Sequence, residues 1–118
     1  MLKDKALENL AAGELLLDRG LVNAAASRLY YAMYEAAVWA LTKEGKRPGA
    51  FRSGAVEWDH SMVENNVGVL RNSFEDRDLY REMRRARTTA DYKADGVDAT
   101  QLRWFRADVV DFVKEFAK

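Results

Sequence analysis

The chain has 118 residues, with 19 Lys and Arg balancing 19 Asp and Glu, one His and no Cys. The absence of Cys excludes disulfide scaffolds, thiolate metal sites and thiol catalysis. Zero formal net charge argues against a basic coat for non-specific nucleic-acid binding, and no apolar run could span a bilayer, so we expect one cytoplasmic domain that contacts no membrane.

The first half of the chain has the hydrophobic spacing of two helices. Over residues 2–18 apolar side chains recur at steps of three and four, and the inner face comprises Leu2, Ala6, Leu7, Leu10, Ala11 and Leu17. Residues 23–43 form a second predicted helix with Asn23 as its N-cap. Its apolar stretch carries only two charges, Arg28 and Glu35. A helix this apolar is surrounded by protein, at the centre of a bundle or in an oligomer interface.

A long loop and two further helices are expected in the middle of the chain. The loop covers residues 46–57 and holds the only Pro. A third helix is predicted over residues 59–71, with Asp59 as N-cap. After a turn over residues 72–75, a fourth helix is predicted over residues 76–93.

The last helix and the packing of the whole chain follow from the same spacing. Asp98 and Gln101 are spaced as a capping box, and the face that follows contains Leu102, Phe105, Val109, Phe112, Val113 and Phe116. No strand-like alternation occurs, so we predict an all-α fold, an up-and-down bundle of four to five helices. Because the second helix is too apolar for so small a core, we expect the bundle to be a homodimer.

Arg residues gather in the predicted fourth helix. Arg77, Arg81 and Arg84 share one edge of this helix, away from its apolar stripe. Arg side chains suit bidentate contacts with phosphate, so this edge is a candidate anion or RNA-backbone surface. The alternative is a solvated face whose cations pair with acidic residues of the same helix, namely Asp76, Asp78 and Glu82.

Two other polar features are candidates for function. Arg28, Tyr31 and Glu35 form one polar line on the apolar second helix, which is either an internal ion pair or a seam of a dimer interface that lines a ligand cleft. His60 is the sole imidazole, so neutral-pH acid–base chemistry by His depends on it, and the alternative is a structural His. One His argues against a multi-His metal site, and no metal or other cofactor is expected.

Three stretches of the chain, taken in order, resemble a known family. They are Ala26-Ser-Arg28-Leu-Tyr30-Tyr31-Ala32-Met, His60 at the start of a helix, and Arg87-Thr-Thr-Ala-Asp91-Tyr92. The chain is similar in these stretches to the HEPN superfamily, in particular to its small stand-alone prokaryotic members. The resemblance implies a dimeric bundle of four to five helices that pairs with a minimal nucleotidyltransferase as a toxin–antitoxin module. Many HEPN proteins are metal-independent RNases with an Arg-x4–6-His motif in the cleft between protomers.

The resemblance also implies roles for individual residues. Arg87 would hold a phosphate, and Asp91 would orient Arg87 or the ligand. Tyr92 stands where the RNase motif has His. A tyrosine phenol ionises only near pH 10 and makes a poor base at neutral pH, so His60 is the alternative base if the fold brings it beside Arg87. Tyr92 is also the candidate acceptor if the partner adenylylates this protein.

These expectations define one leading function and two alternatives. The leading function is a HEPN-type module that binds a nucleotide or RNA phosphate in a cleft between protomers, beside a nucleotidyltransferase partner. In it Arg87 contacts the phosphate, and the further ligand-binding residues are Arg28, Arg84 and Asp91. The first alternative is a metal-independent endoribonuclease toxin, whose candidate catalytic residues are Arg87, His60 and Tyr92. The second is a non-catalytic dimeric adaptor, in which the Arg-Asp-Tyr group only holds helices together.

Overall fold

A computed structural model describes residues 1–48, 58–94 and 96–118. Over these residues the chain forms five α-helices: α1 (Leu2–Asp18), α2 (Val22–Lys43), α3 (His60–Val67), α4 (Phe74–Tyr92) and α5 (Ala99–Phe116). No strand occurs in this part of the chain, and the predicted all-α fold is confirmed. Most of the predicted loop, residues 49–57, lies outside the described residues.

The four long helices alternate in direction, as in an up-and-down bundle. α1 and α2 are antiparallel, because Lys5 near the start of α1 meets Glu35, whereas Gly13 further along meets Leu29. α4 is antiparallel to α2, and α5 runs in the same direction as α2. The side-chain contacts that show this are Ser27–Asp91, Tyr30–Tyr80, Asn23–Val97 and Trp39–Lys118.

α2 lies at the centre of the bundle and contacts each of the other four described helices. Its interior side chains, among them Leu29, Tyr30, Met33 and Leu41, are fully buried by helices of the same chain. The apolar surface that we expected a second protomer to cover is therefore covered within one chain. The composition of α2 does not require a dimer, and dimerisation stays a prediction.

α1 approaches α2 very closely at Gly13. A Cβ added there would lie 2.7 Å from side-chain atoms of Leu29, closer than non-bonded carbon atoms approach each other. The buried face of α1 therefore turns towards this contact and consists of Ala6, Leu10, Gly13 and Leu17. Leu7 and Ala11, which we placed on the inner face, are exposed.

Two of the three predicted N-caps are confirmed. Asp59 caps α3 and Asp98 caps α5, each by accepting backbone N–H groups of the first turn. Asn23 is not the cap of α2, which begins at Val22. Its Oδ1 instead accepts from the backbone N–H of Val97 at 2.9 Å and ties the start of α2 to the start of α5.

The connection between α3 and α4 departs from the prediction. α3 ends at Val67 rather than near residue 71. α4 begins at Phe74 because the Ser73 side chain accepts from a backbone N–H of its first turn. Arg71, outside the helix, donates to both carboxylate oxygens of the buried Asp76 at 2.7 and 2.8 Å. This bidentate ion pair joins the connection to α4, and local spacing does not encode it.

Candidate functional site

His60 is the first residue of α3, and its ring lies against α2. The imidazole packs beside three tyrosine rings of α2, with centroid separations of 5.5, 6.4 and 5.1 Å to Tyr30, Tyr31 and Tyr34. The Tyr34 hydroxyl donates to the carbonyl of Trp58, just before α3, at 2.5 Å. These contacts hold the chain's sole imidazole against the central helix.

A buried chain of hydrogen bonds joins His60 to α4. The Tyr30 hydroxyl lies 2.5 Å from Nδ1 of His60 and 2.9 Å from the Tyr80 hydroxyl. Both tyrosine side chains are fully buried. Burial raises the pKa of Tyr30 to about 12 and also raises the pKa of Tyr80, so both phenols are neutral at physiological pH.

Arg87 extends from α4 onto the same tyrosines. Its guanidinium carbon lies 5.5 and 5.7 Å from the ring centroids of Tyr30 and Tyr31, within the range of cation–π contacts. Its Nη1 donates at long range, at 3.4 Å to the Tyr31 hydroxyl and at 3.5 Å to Asp91. Its Nε is buried and has no hydrogen-bond partner among the described residues. Arg87 is therefore placed by two ring contacts and by two long hydrogen bonds.

Asp91 lies one turn after Arg87 and links it to α2. Ser27 donates to Oδ1 of Asp91 at 3.0 Å, while Oδ2 faces Arg87. The carboxylate thus bridges α2 and the guanidinium. This geometry permits the predicted orienting role of Asp91, which stays a prediction.

An open groove lies along α4. Its volume is about 510 Å³, and its walls are formed by Glu64, Arg81, Arg84, Arg85, Thr88 and Thr89. Glu64 of α3 pairs with Arg81 at 3.4 Å and with Arg84 at 3.6 Å. Of the acidic partners predicted within α4, Glu82 pairs with Arg85 at 3.0 Å. Part of the Arg-rich edge therefore faces α3 rather than only solvent.

The pKa of His60 is lowered below its ordinary value of 6.5. Burial is the main cause, the positive charges of Arg87 and Arg84 add to it, and Asp59 opposes it. The imidazole is therefore neutral at pH 7. It lies within the electrostatic influence of both arginines, although they belong to a different helix.

The fold brings four of the six predicted site residues into one region: His60, Arg84, Arg87 and Asp91. With Tyr30 and Tyr31, which His60 and Arg87 contact, and with Tyr80, which is hydrogen-bonded to Tyr30, they form what we call the α3–α4 cluster. Tyr92 does not join it. The side chain of Tyr92 is 74% exposed at the end of α4, and five residues along a regular helix turn it about 140° away from Arg87.

The polar line of Arg28, Tyr31 and Glu35 divides between two sides of α2. Asn9 of α1 donates to Glu35 at 2.5 Å and accepts from Arg28 at 3.0 Å. Lys5 adds an ion pair with Glu35 at 3.8 Å. Tyr31 faces α4 on the other side. Lys5, Asn9, Arg28 and Glu35 therefore form a separate interhelical network, which we call the α1–α2 network, and Arg28 lies outside the α3–α4 cluster.

Sequence reasoning assigns no site role to Tyr80 and Glu64, which also belong to this region. Tyr80 precedes Arg84 by four residues and Arg87 by seven, a spacing that places all three on one helical face. That spacing is the signal by which Tyr80 could be found. Glu64 has no such signal, because the arginines that it pairs with come from another helix.

Neither a metal site nor a relative identifies the chemistry of the α3–α4 cluster. The described residues contain no group of three or more side chains that could hold a metal ion. None of the described helices is long and apolar enough to cross a membrane. The chain has no significant match to any known protein family, characterised protein or solved structure. The geometry and charge of the cluster are therefore the basis for its function.

Proposed function

We propose that this protein binds a phosphate group of a nucleotide or of RNA at the α3–α4 cluster. The observation that carries the proposal is that the sole imidazole, His60, and the guanidinium of Arg87 contact the same two tyrosines of α2, Tyr30 and Tyr31. Arg84 lies on the same face of α4, three residues before Arg87. All three side chains offer N–H donors, and the guanidinium fork matches the oxygens of a phosphate. The donors come from two helices, α3 and α4.

The charge around the cluster favours an anion. Three arginines face two carboxylates, and these residues are Arg81, Arg84, Arg87, Glu64 and Asp91. A bound phosphate would supply the missing negative charge in a partly buried place, where charges interact more strongly than in water. The contacts that it would replace lie between 3.4 and 3.6 Å, longer than the roughly 2.8 Å of strong charge-assisted hydrogen bonds. Exchanging them for phosphate contacts therefore costs little.

The resemblance to HEPN proteins extends the proposal to partners. Under it, the protein acts in the cytoplasm as a homodimer beside a minimal nucleotidyltransferase, in a toxin–antitoxin module. The exposure of Tyr92 supports a role as acceptor for adenylylation, because a transferase can reach its hydroxyl. Arg28 has no part in the proposed site, since it lies on the α1 side of α2.

Metal-independent RNA cleavage is the second candidate function. One observation favours it: His60 and Arg87 contact the same tyrosines of α2, and burial there lowers the pKa of His60. In such a pair the guanidinium holds the phosphate while the imidazole takes a proton from the RNA 2′-hydroxyl. Cleavage differs from binding because it requires a lone pair on the free ring nitrogen of His60.

A binding assay with matched arginine variants tests the proposal. Fluorescence anisotropy of a labelled oligoribonucleotide is measured at fixed ionic strength for the wild type, Arg87→Ala and Arg103→Ala. Arg103 is exposed on α5 and has no side-chain ion pair among the described residues, so it controls for lost charge. We expect Arg87→Ala to weaken binding about 10- to 100-fold, or about 1.4–2.8 kcal/mol, and Arg103→Ala to weaken it less than about twofold.

Other outcomes would favour the alternatives. Equal losses in the two variants would indicate non-specific charge attraction and contradict a built site. Unchanged binding with a lower melting temperature for Arg87→Ala would support the adaptor, in which Arg87 only joins α4 to α2. Incubation of the same RNA in EDTA separates binding from cleavage. Intact RNA supports a binding module, whereas cleavage that His60→Ala abolishes supports the endoribonuclease.

A further inference from the structure

We infer that Tyr30, with Tyr80 behind it, fixes the tautomer of His60, so that Nε2 carries the ring hydrogen and donates it to a bound anion. The inference follows from two linked hydrogen bonds: the Tyr30 hydroxyl is bonded to Nδ1 of His60 on one side and to the Tyr80 hydroxyl on the other. The identity of the anion as a phosphate rests on the proposed function. The tautomer itself does not depend on it.

The direction of the hydrogen bonds follows from the two buried hydroxyl groups. The Tyr80 hydroxyl is fully buried, and its one hydrogen-bond partner among the described residues is the Tyr30 oxygen, 2.9 Å away. If Tyr80 donates to Tyr30, Tyr30 donates in turn to Nδ1 of His60, and both hydroxyl hydrogens are paired. In the opposite direction Nδ1 donates to Tyr30 and Tyr30 donates to Tyr80. The hydrogen of Tyr80 then lacks an acceptor in the described structure, which is unfavourable for a buried group.

The favoured direction makes Nδ1 an acceptor. A neutral imidazole has one N–H and one lone pair on its two nitrogens, so an accepting Nδ1 places the hydrogen on Nε2. Nε2 has no hydrogen-bond partner among the residues that the structure describes. The N–H of His60 is therefore available to a ligand.

The groups that face the imidazole favour its neutral form. They are two cations of α4, three tyrosines of α2 and one carboxylate beside the ring's own residue: Arg84, Arg87, Tyr30, Tyr31, Tyr34 and Asp59. Asp59 already accepts the backbone N–H of Met62 as the α3 cap. The Nε2–H and the guanidinium groups thus present donors from two helices, and a phosphate oxygen is an acceptor that suits them.

This tautomer decides between holding RNA and cleaving it. A general base at a 2′-hydroxyl needs a lone pair on the nitrogen that faces the substrate, and Nε2–H has none. Moving the hydrogen to Nδ1 would reverse the chain and leave the Tyr80 hydroxyl unpaired. His60 is therefore a donor that helps to hold an anion, with Tyr30 as the residue that positions its hydrogen.

Nitrogen-15 NMR of histidine-labelled protein tests the tautomer directly, because the chain contains one imidazole. For the wild type at neutral and mildly alkaline pH, we expect one tautomer with a protonated Nε2 and an unprotonated Nδ1. Tyr30→Phe removes the donor to Nδ1, so we expect a mixture of both tautomers. Tyr80→Phe is the matched control, because it also removes a buried hydroxyl. Without Tyr80, accepting from Nδ1 would leave the hydrogen of the buried Tyr30 hydroxyl without an acceptor, so Tyr30 should still donate to Nδ1 and the single tautomer should remain. A protonated Nδ1 in the wild type, or a mixture like that of Tyr30→Phe, would overturn the inference.

The same spectra follow ligand binding and separate the two proposals. On titration with inorganic phosphate, AMP or the oligoribonucleotide, we expect the Nε2–H resonance to shift in the wild type but not in Arg87→Ala. A single Nε2–H tautomer that responds to none of the three would overturn the proposed function and the donor role, while the tautomer assignment would stand. RNA cleavage in EDTA that depends on His60, with a rate that rises as His60 loses its proton, would show that His60 is a base and overturn the donor role.

Discussion

The two polar regions that flank α2 are built in opposite ways. In the α1–α2 network each charged group has a partner, and the hydrogen bonds of Asn9 to Glu35 and Arg28 measure 2.5 and 3.0 Å. In the α3–α4 cluster the contacts of Arg87 measure 3.4 and 3.5 Å. There, Nε of Arg87 and Nε2 of His60 have no partner among the described residues.

The difference separates a structural contact from a candidate site. Glu35 is only 7% exposed, and a carboxylate buried to this degree is stable only when hydrogen-bonded. Its partners in α1 satisfy that need and leave nothing for a ligand. The α3–α4 cluster instead has more donors than acceptors, so an added acceptor would improve it. Polar residues on an apolar helix therefore indicate a binding site only when some of their hydrogen-bonding groups have no partner within the protein.

The largest effect on stability is expected at Glu35. Glu35→Ala leaves the half-buried amide of Asn9 without its acceptor, which should lower the free energy of unfolding by about 1–3 kcal/mol in chemical denaturation. Replacing both partners with apolar side chains, in Asn9→Leu/Glu35→Met, should recover most of the loss and leave phosphate affinity unchanged. A double variant that folds but no longer binds phosphate would contradict the structural role of this network.

A smaller effect is expected from pH, through His60. Its lowered pKa means that the unfolded chain binds a proton more readily than the folded protein between the two pKa values. Its contribution to stability is therefore complete above about pH 6.5 and falls as the pH drops from there towards the lowered pKa. Thermal melts across this window should show a steeper loss for the wild type than for His60→Asn. If the melting temperatures of the two proteins fall equally with pH, the loss of stability comes from carboxylates and not from His60.

The smallest effects are expected from Arg28→Ala. Arg28 is exposed and donates to Asn9 at the edge of the α1–α2 network, so its loss should cost about 0–1 kcal/mol of stability. In the anisotropy assay Arg28→Ala should bind RNA like the wild type, in contrast to Arg87→Ala. Equal loss of affinity in these two variants would contradict the division between the two sides of α2 and place Arg28 at the ligand.

Features that depend only on residues of one helix could be predicted from the sequence. The Asp59 and Asp98 caps and the extent of α1 over residues 2–18 are examples, because a cap and a hydrophobic face each involve neighbouring residues of the same segment. Side chains with distant partners could not be predicted in this way. Asn23 bonds to Val97 instead of capping α2, since no local pattern encodes the approach of two helix ends.

By itself, the sequence determined an all-α chain with an apolar second helix and one imidazole on which any histidine chemistry depends. Only the tertiary structure decided that His60 lies near Arg84 and Arg87, and that Arg28 and Tyr92 lie elsewhere. The physical reason is that these side chains belong to different helices or different helical faces. The spacing of residues along one helix defines its own faces, but the rotation of that helix against its neighbours is set by packing of the whole bundle.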